Sequence, residues 1–295
     1  MDRMKHLLLA CFLLLGLPLV ADPVSDIFPK LSPHGSVSQT IGTTTVSVDF
    51  HRPAVRGRKI WGDLVPYGQV WRAGANEATT IRFSDAVKVN GSVVPAGTYA
   101  LFTIPGPEQW VVILNKRWHQ LGAFEYQAKD DVLRFQAKPK TLSSHTEWLT
   151  YEIEPGSRSS AYVDLLWERL RVSFMVEVDV DSLVAAHMKR AIARAKSNDW
   201  RLYADAALYY LEQNAQLDLA MTWAEKSIRI QENPTNLFVK GRLQRELGQL
   251  AQAMTTLEKA LKLARHQNAS GSVTGPIQQS LEQWKRVQGL NGRGN

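Results

Sequence analysis

The chain has 295 residues, which is enough for two ordinary domains, and its formal net charge is +7 at pH 7. Its single cysteine is Cys11, so the sequence after it excludes disulfides, thiolate metal sites and cysteine nucleophiles. The charge is uneven: residues 22–181 contain 17 Lys+Arg against 18 Asp+Glu, a net of −1, whereas residues 182–295 contain 16 against 9, a net of +7. The basic part suits either an acidic partner or a solvated helical surface.

The first 21 residues have the pattern of a secretory signal peptide. A cationic start precedes a 14-residue apolar run from Leu7 to Val20, and polar sequence begins at Asp22. That run is short for a membrane-spanning helix and suits a cleaved leader. We therefore expect an exported protein, periplasmic or extracellular, with no transmembrane segment in the mature chain and no nucleic-acid partner. Residues 22–35 are predicted to form a linker.

Residues 36–181 alternate apolar and polar side chains over short runs separated by glycine and proline, which is typical of antiparallel strands. The clearest signal is VKVNGSVV, where Asn90-Gly91 suits a two-residue turn with positive φ at both positions. No helical period lies between the predicted strands, which argues against a βαβ fold. We predict an antiparallel β-sandwich or a jelly-roll-like barrel, and the sequence leaves the choice between sandwich and barrel open.

The end of this region is predicted to form a hairpin. Ala161–Trp167 and Arg171–Asp179 both have the composition of strands, and the polar pair Glu168-Arg169 lies between them. We therefore predict two separate strands that pair around a turn at that dipeptide.

From Ser182 onward the apolar period changes to 3.6 residues, which predicts helices. Their predicted bounds are 182–197, 200–213, 217–231, 235–247, 250–266 and 276–288. Residues 220–228 recur 33 positions later, and small residues follow the tetratricopeptide pattern in the second copy. Residues 182–295 thus resemble a short α-helical tetratricopeptide-like domain, which implies a surface for a protein partner. The overall prediction is an α+β multidomain chain.

The longest segment without a clear pattern lies between Phe50 and Phe83, and it is rich in arginine, glycine and aromatic residues. A connection of that length in a compact domain more often carries function than merely joins elements. Its first part, VRGRKIWG, places Arg58 and Lys59 beside Gly57, where cations and freed backbone amides could cradle a carboxylate or phosphate. A solvated basic turn is the alternative.

The middle of this loop combines aromatic residues with an arginine. Tyr67, Trp71 and Arg72 suit a sugar ring, or a peptide held by stacking and hydrogen bonds. Alternatively, Trp61, Tyr67 and Trp71 would close the open end of the sandwich as a hydrophobic plug.

The segment GANEAT holds one amide, Asn76, and one carboxylate, Glu77, among small residues. If Glu77 is buried it needs a counter-charge, for which Arg72 or Arg52 is a nearby candidate. Three interpretations stay open: a buried Glu–Arg pair that organises the loop, a general acid or base at Glu77, or ligand binding.

Motifs for other chemistry are missing from the sequence. The histidines after residue 21 show no metal-ligand spacing, and there is no nucleophile elbow, phosphate-binding glycine loop or dinucleotide fingerprint. We therefore expect no metal and no cofactor.

Four segments carry a resemblance to a known family. They are HRPAVRGRKIWGDLVPYGQVWRAGANEATTIRF, then VPAGTYALFTIPGPEQWVVILNK, DVLRF and LLWERLRVSFMVEVD. Together they closely resemble domain-of-unknown-function family 2911 over about residues 32–180. The resemblance implies an exported bacterial protein in which this domain precedes tetratricopeptide-like helices, and it implies no particular activity.

The leading hypothesis is a non-enzymatic binding module at the cell envelope, with a small ligand or peptide in the β domain and a protein on the basic repeats. The predicted ligand-binding residues are Arg52, Arg58, Lys59, Tyr67, Trp71, Arg72, Asn76, Glu77, Asn115 and Trp118. One alternative is a hydrolase or lyase that acts on an envelope sugar or peptide, with Glu77 as acid/base. Another is a structural scaffold.

Overall fold

The computed structural model describes residues 28–291, so the predicted signal peptide lies outside the described residues. The chain divides into two compact units, one ending at Val178 and the other beginning at Asp179. Between residues 28 and 291, the β-strands fall in the first unit and the α-helices in the second. The predicted α+β two-domain architecture is therefore confirmed.

The strands of the first unit follow one another without an intervening α-helix in the described part of the chain. In chain order they are β1 (His34–Ile41), β2 (Thr44–His51), β3 (Thr80–Phe83), β4 (Val87–Val89), β5 (Ser92–Val94), β6 (Gly97–Ile104), β7 (Trp110–Asn115), β8 (Asp131–Ala137), β9 (Lys140–Ser157) and β10 (Ser160–Glu177).

These strands form two antiparallel sheets. A six-stranded sheet has the order β1-β2-β3-β6-β7-β8, and a four-stranded sheet has the order β5-β4-β10-β9. Side chains of both sheets meet in one core: the ring centroids of Phe50 and Tyr151 are 4.9 Å apart, and those of Phe135 and Phe174 are 5.5 Å apart. The domain is therefore a β-sandwich, which decides the choice that the sequence left open.

Alternation along β2 places polar side chains on the outer face of the six-stranded sheet. Phe50 points into the core, while Asp49 and His51 lie on the opposite face of the strand. In the antiparallel register His34 of β1 lies opposite His51, and Thr80 of β3 lies opposite Asp49. Three adjacent strands thus bring polar groups together on one surface.

The predicted turn at Asn90-Gly91 is confirmed. It joins β4 to β5, and φ is 45° at Asn90 and 82° at Gly91. The Asn90 side-chain oxygen also accepts a hydrogen bond from the Met175 amide at 2.9 Å, which ties the turn to β10.

The predicted hairpin around Glu168-Arg169 is wrong. Ala161–Trp167 and most of the following segment belong to the single strand β10, which pairs with β9 on both sides of the dipeptide. Glu168 has φ 55°, and the register shifts on both sides of it, as in a β-bulge. A bulge and a turn both place polar residues and a positive φ between apolar runs, so their sequence patterns are similar.

The second unit consists of helices, and each of them overlaps a predicted helix. Within the described residues they are α1 (Val180–Ala193), α2 (Trp200–Glu212), α3 (Leu217–Ile230), α4 (Pro234–Glu246), α5 (Leu250–His266) and α6 (Gly271–Asn291). Fully buried alanines, among them Ala224 of α3 and Ala260 of α5, let neighbouring helices approach closely. Over residues 28–291, no helix has both the length and the apolar character needed to cross a membrane.

Candidate functional site

The loop between β2 and β3 has a fixed course, because isolated bridges hold it to neighbouring segments. Ala54 bridges to β9, Trp71 bridges to β6, and Glu77 bridges to Leu121 in the segment that follows β7. The segment GANEAT contributes to two clefts along this course, with Gly74 to Asn76 lining one and Glu77 lining the other. The predicted site residues therefore do not form one site.

The first cleft, which we call the histidine cleft, has a volume of about 490 Å³. Its lining residues are His34, Asp49, Phe50, His51, Glu77, Ala78, Thr80, Trp118, His119, Gln120, Leu121 and Glu125. The outer face of β1, β2 and β3 supplies its first polar residues, and the segment after β7 supplies Trp118 to Leu121. Of the predicted site residues, it contains Glu77 and Trp118.

Hydrogen bonds join the GANEAT segment to the segment that follows β7. The Ala78 amide donates to the Gln120 carbonyl at 3.0 Å, and the Gly122 amide donates to the Asn76 carbonyl at 3.1 Å. Both sides of the histidine cleft are therefore held by backbone bonds rather than by flexible side chains alone.

Close packing explains the glycine that opens GANEAT. A Cβ at Gly74 would lie 2.7 Å from Thr79 Oγ1 and 3.1 Å from the His51 carbonyl oxygen. Thr79 is itself fixed, because it is buried and its hydroxyl donates to the Ala73 carbonyl at 3.0 Å. Any larger residue at position 74 would thus push against the end of β2, which carries His51.

Glu77 lines the histidine cleft with half of its side chain exposed. Its Oε1 accepts a hydrogen bond from Lys30 Nζ at 2.8 Å, and its Oε2 lies 3.2 Å from His51 Nδ1. Of the three interpretations left open for Glu77, the buried pair with Arg72 or Arg52 is therefore wrong. Arg72 lines the other cleft, and Arg52 donates from Nε to a carbonyl of β9 at 2.9 Å.

The backbone at Asn76, which has φ 56°, explains why Glu77 does not pair with Arg72. Asn76 and Glu77 consequently direct their side chains to different clefts, with the Asn76 amide donating to the Ser32 carbonyl at 3.2 Å. The sequence gives no sign that residues 30–32 lie against GANEAT, so it could not name Lys30 as a partner.

The protonation of Glu77 and His51 is coupled. Partial burial opposes ionisation of Glu77, but the hydrogen bond from Lys30 and the nearby His51 outweigh it, so the pKa of Glu77 is lowered. Burial lowers the pKa of His51 below 6.5, and Lys30 and His34 add to this, while the charge of Glu77 partly opposes it. At neutral pH the pair is therefore a carboxylate facing a neutral imidazole. With the proton on Nδ1 toward Glu77, Nε2 is the acceptor.

Further polar and apolar groups complete the histidine cleft. His34 Nε2 lies 3.5 Å from Asp49 Oδ1, and the His34 and His51 rings meet edge to face at 5.4 Å. Trp118 and Leu121 expose large apolar surfaces beside them. Among residues 28–291, no group of three or more His, Cys, Asp or Glu side chains is arranged to hold a metal ion.

The second cleft, which we call the arginine cleft, has a volume of about 400 Å³. Its lining residues are Leu31, Ser32, Pro53, Ala54, Arg56, Arg58, Leu64, Val65, Trp71, Arg72, Gly74, Ala75, Asn76 and Trp167. It collects Arg58, Trp71, Arg72 and Asn76 from the predicted site, and none of its lining residues lines the histidine cleft.

The tryptophans of the loop belong to a cluster in the domain interior. Trp61 lies 4.9 Å from Trp110 and 5.7 Å from Trp167 between ring centroids, and Trp71 stacks on Trp167 at 5.9 Å. Trp61 and Trp71 thus pack together as the plug interpretation expected, whereas Tyr67 is exposed and outside the cluster.

Four predicted site residues line neither cleft, namely Arg52, Lys59, Tyr67 and Asn115. Lys59 and Tyr67 are exposed on the loop. Asn115 is fully buried, and its side chain bonds the Gln127 carbonyl at 3.1 Å and Asp131 at 2.8 Å, so it shapes the connection between β7 and β8.

The predicted site omitted five titratable residues of the histidine cleft, namely His34, Asp49, His51, His119 and Glu125. The alternation of β2 does place Asp49 and His51 on one face, which is a signal that could have found them. His34 joins them only through the register of β1 on β2. No local pattern connects His119 or Glu125 with these strands.

Fold and clefts together define a β-sandwich protein with an appended helical-repeat domain. Residues 32–176 match the family described as protein of unknown function (DUF2911), and residues 235–267 match a tetratricopeptide repeat. The β-sandwich domain therefore belongs to the DUF2911 family, and the repeat match covers α4 and α5, as the sequence resemblances predicted. No match was found among curated proteins, and none among solved structures.

Proposed function

We propose that this protein is a binding module whose β domain holds a ligand in the histidine cleft. The tetratricopeptide repeat supports the accompanying role of the helical domain in binding a protein. One observation carries the ligand proposal. Glu77, the carboxylate of the GANEAT segment, is half exposed beside His51 in a cleft whose volume lies in the range of small-molecule sites.

The groups in the histidine cleft suit a neutral or cationic polar ligand, such as a sugar or a short peptide. Asp49 and Glu77 accept hydrogen bonds from hydroxyl or amino groups, and neutral His51 adds a further acceptor. The exposed Trp118 ring offers a flat apolar face against which a sugar ring or a peptide side chain packs.

Native mass spectrometry tests this proposal. We expect the purified protein to retain a bound molecule after incubation with a panel of disaccharides and tripeptides. Glu77→Gln should reduce the bound fraction through an affinity loss of about tenfold, since a charged hydrogen-bond acceptor is removed. Glu147→Gln is the matched control, because Glu147 is a half-exposed carboxylate outside the cleft. Equal loss in both variants, or no bound member of the panel, contradicts the proposal.

A second candidate function is acid–base catalysis on the same class of ligand, as in a hydrolase or lyase. The observation that favours it is the 3.2 Å contact between His51 Nδ1 and Glu77 Oε2. A carboxylate that holds an imidazole in one tautomer leaves Nε2 free to accept a proton. Because the pKa of Glu77 is lowered, Glu77 would orient His51, and His51 would be the base.

Catalysis and binding are separated by the variant His51→Gln. If the cleft is catalytic, the variant still binds a member of the panel but no longer converts it, as product analysis would show. Glu77→Gln should then move the acidic limb of the rate profile to lower pH, because removing its charge lowers the pKa of His51. Unchanged conversion in His51→Gln removes His51 from the mechanism.

Export and an acidic protein partner are part of the same proposal. The signal-like residues 1–21 support export, and the net charge of +7 over residues 182–295 supports an acidic partner. We expect the exported protein to begin at or near Asp22, which intact-mass measurement of protein from the culture medium or periplasm would detect. An unprocessed chain that stays in the cytoplasm contradicts this.

A further inference from the structure

The arginine cleft has a different chemistry from the histidine cleft. Three arginines, Arg56, Arg58 and Arg72, line it, and within residues 28–291 no aspartate or glutamate does. Like charges that converge on one cleft repel one another unless an anion lies between them. The composition of the lining therefore points to an anionic ligand.

Arg72 gives the strongest indication, because part of its guanidinium lies in the protein without a partner. Its Nε is buried and makes no hydrogen bond, and no carboxylate within residues 28–291 forms an ion pair with it. Burial also lowers the pKa of Arg72. A buried donor without an acceptor costs free energy, which an oxyanion at this position would recover.

The neighbouring Arg58 is held in position without being neutralised. Its Nε donates to the Val55 carbonyl at 3.0 Å, and its Nη2 donates to the Ala54 carbonyl. Backbone carbonyls are neutral acceptors, so they fix the planar guanidinium while its charge remains available. Glu147 approaches this turn, but it accepts from the Arg56 backbone amide at 2.8 Å and lies 3.1 Å from His145.

Apolar groups form the remaining lining of the arginine cleft. The Trp71 and Trp167 rings stack at 5.9 Å with an interplanar angle of 17°, and both belong to the lining. Leu64 and Leu31 are exposed beside them. Trp167 is itself buried, so the apolar surfaces open to the cleft are those of Trp71, Leu64 and Leu31. A purely inorganic anion would leave these three surfaces in water, whereas an apolar group would cover them.

We propose that the arginine cleft is a binding site for a small organic anion, in which Arg72 and Arg58 bind a carboxylate or phosphate group and the half-buried Trp71 ring contacts an apolar body. Planar guanidinium groups match both oxyanions through paired hydrogen bonds. This site is separate from the histidine cleft and does not depend on the function proposed for it.

Isothermal titration calorimetry of the full chain with benzoate, phenyl phosphate and inorganic phosphate tests the proposal. Benzoate and phenyl phosphate distinguish a carboxylate from a phosphate ligand, and inorganic phosphate lacks the apolar body. We expect one of the two aromatic anions to bind more tightly than inorganic phosphate, with affinity falling as salt is added. No binding by either aromatic anion overturns the proposal, and so does equal binding of inorganic phosphate.

Arginine variants locate the binding. Arg72→Gln should weaken it by about tenfold or more, since a charged donor is lost. Arg82→Gln, on the exposed face of β3 and outside both clefts, should leave it unchanged. If Arg72→Gln does not fold by circular dichroism, Arg58→Gln replaces it, because Arg58 is exposed on the loop. Equal affinities in the cleft variant and in Arg82→Gln overturn the proposal.

Discussion

At the scale of single residues, the chemistry of the β domain depends on how Glu77 and His51 share their surroundings. Burial keeps His51 neutral, and among the described residues the carboxylate of Glu77 is the group that raises its pKa. The same carboxylate is held ionised by Lys30, which comes from the segment before β1. A ligand that displaces Lys30 or approaches His51 would therefore change the protonation of both.

Glu77→Gln should lower the pKa of His51 further below 6.5, because the favourable charge of Glu77 is removed while burial, Lys30 and His34 remain. The measurement is an NMR titration of the histidine ring signals in both proteins. Glu125→Gln is the matched control: Glu125 lines the same cleft but pairs with Arg117 at 2.9 Å. A His51 pKa that rises, or that falls equally in the control, would contradict this account.

Sequence identified the carboxylate of this pair but not its partners. GANEAT is conspicuous because one charge stands among small residues, and that charge does lie in a cleft. Its partners depend on the positive φ at Asn76 and on the return of residues 30–32 across the motif. Neither feature has a local sequence pattern, so the nearest arginines were the natural but wrong choice.

At the scale of elements, the loop between β2 and β3 shows why a segment without periodicity can still be rigid. Single bridges at Ala54, Trp71 and Glu77 hold it, and a single bridged residue leaves no alternating pattern. The regular strands and helices were predictable because burial on one face repeats along them. The bulge at Glu168 could not be predicted in this way, because it interrupts the alternating burial of the strand just as a turn would.

A substitution at Gly241 tests how closely α4 packs on α5. A Cβ at this position would collide with Leu257 Cδ1, and Leu257 is fully buried. Gly241→Ala should therefore lower the free energy of unfolding of the helical domain by about 1–3 kcal/mol despite its better helix propensity. Urea unfolding followed by far-ultraviolet circular dichroism measures this.

Repeating Gly241→Ala in a Leu257→Ala protein shows whether the collision with Leu257 causes the loss of stability. In a Leu257→Ala protein the colliding methyl group is absent, so adding Gly241→Ala should cost little or even stabilise the domain. The same cost of Gly241→Ala in both backgrounds would mean that the collision is not its cause.

At the scale of the whole molecule, the change of period near residue 180 marks the passage from sandwich to helical repeats. That change was readable from the sequence because strands and helices bury side chains with different spacing. The two clefts could not be predicted from the sequence, since each collects residues that are far apart in the chain. The histidine cleft, for example, joins His34 to Glu125 across several strands.

The most direct test of the central claim is NMR of the histidine rings during titration with whichever sugar or peptide binds. Three of the seven histidines, His34, His51 and His119, line the proposed site. A ligand in the histidine cleft should shift the signals of these three rings together, and Glu77→Gln should weaken the effect. Binding that shifts only His145, His187 or His266, or none of the histidines, would contradict the claim.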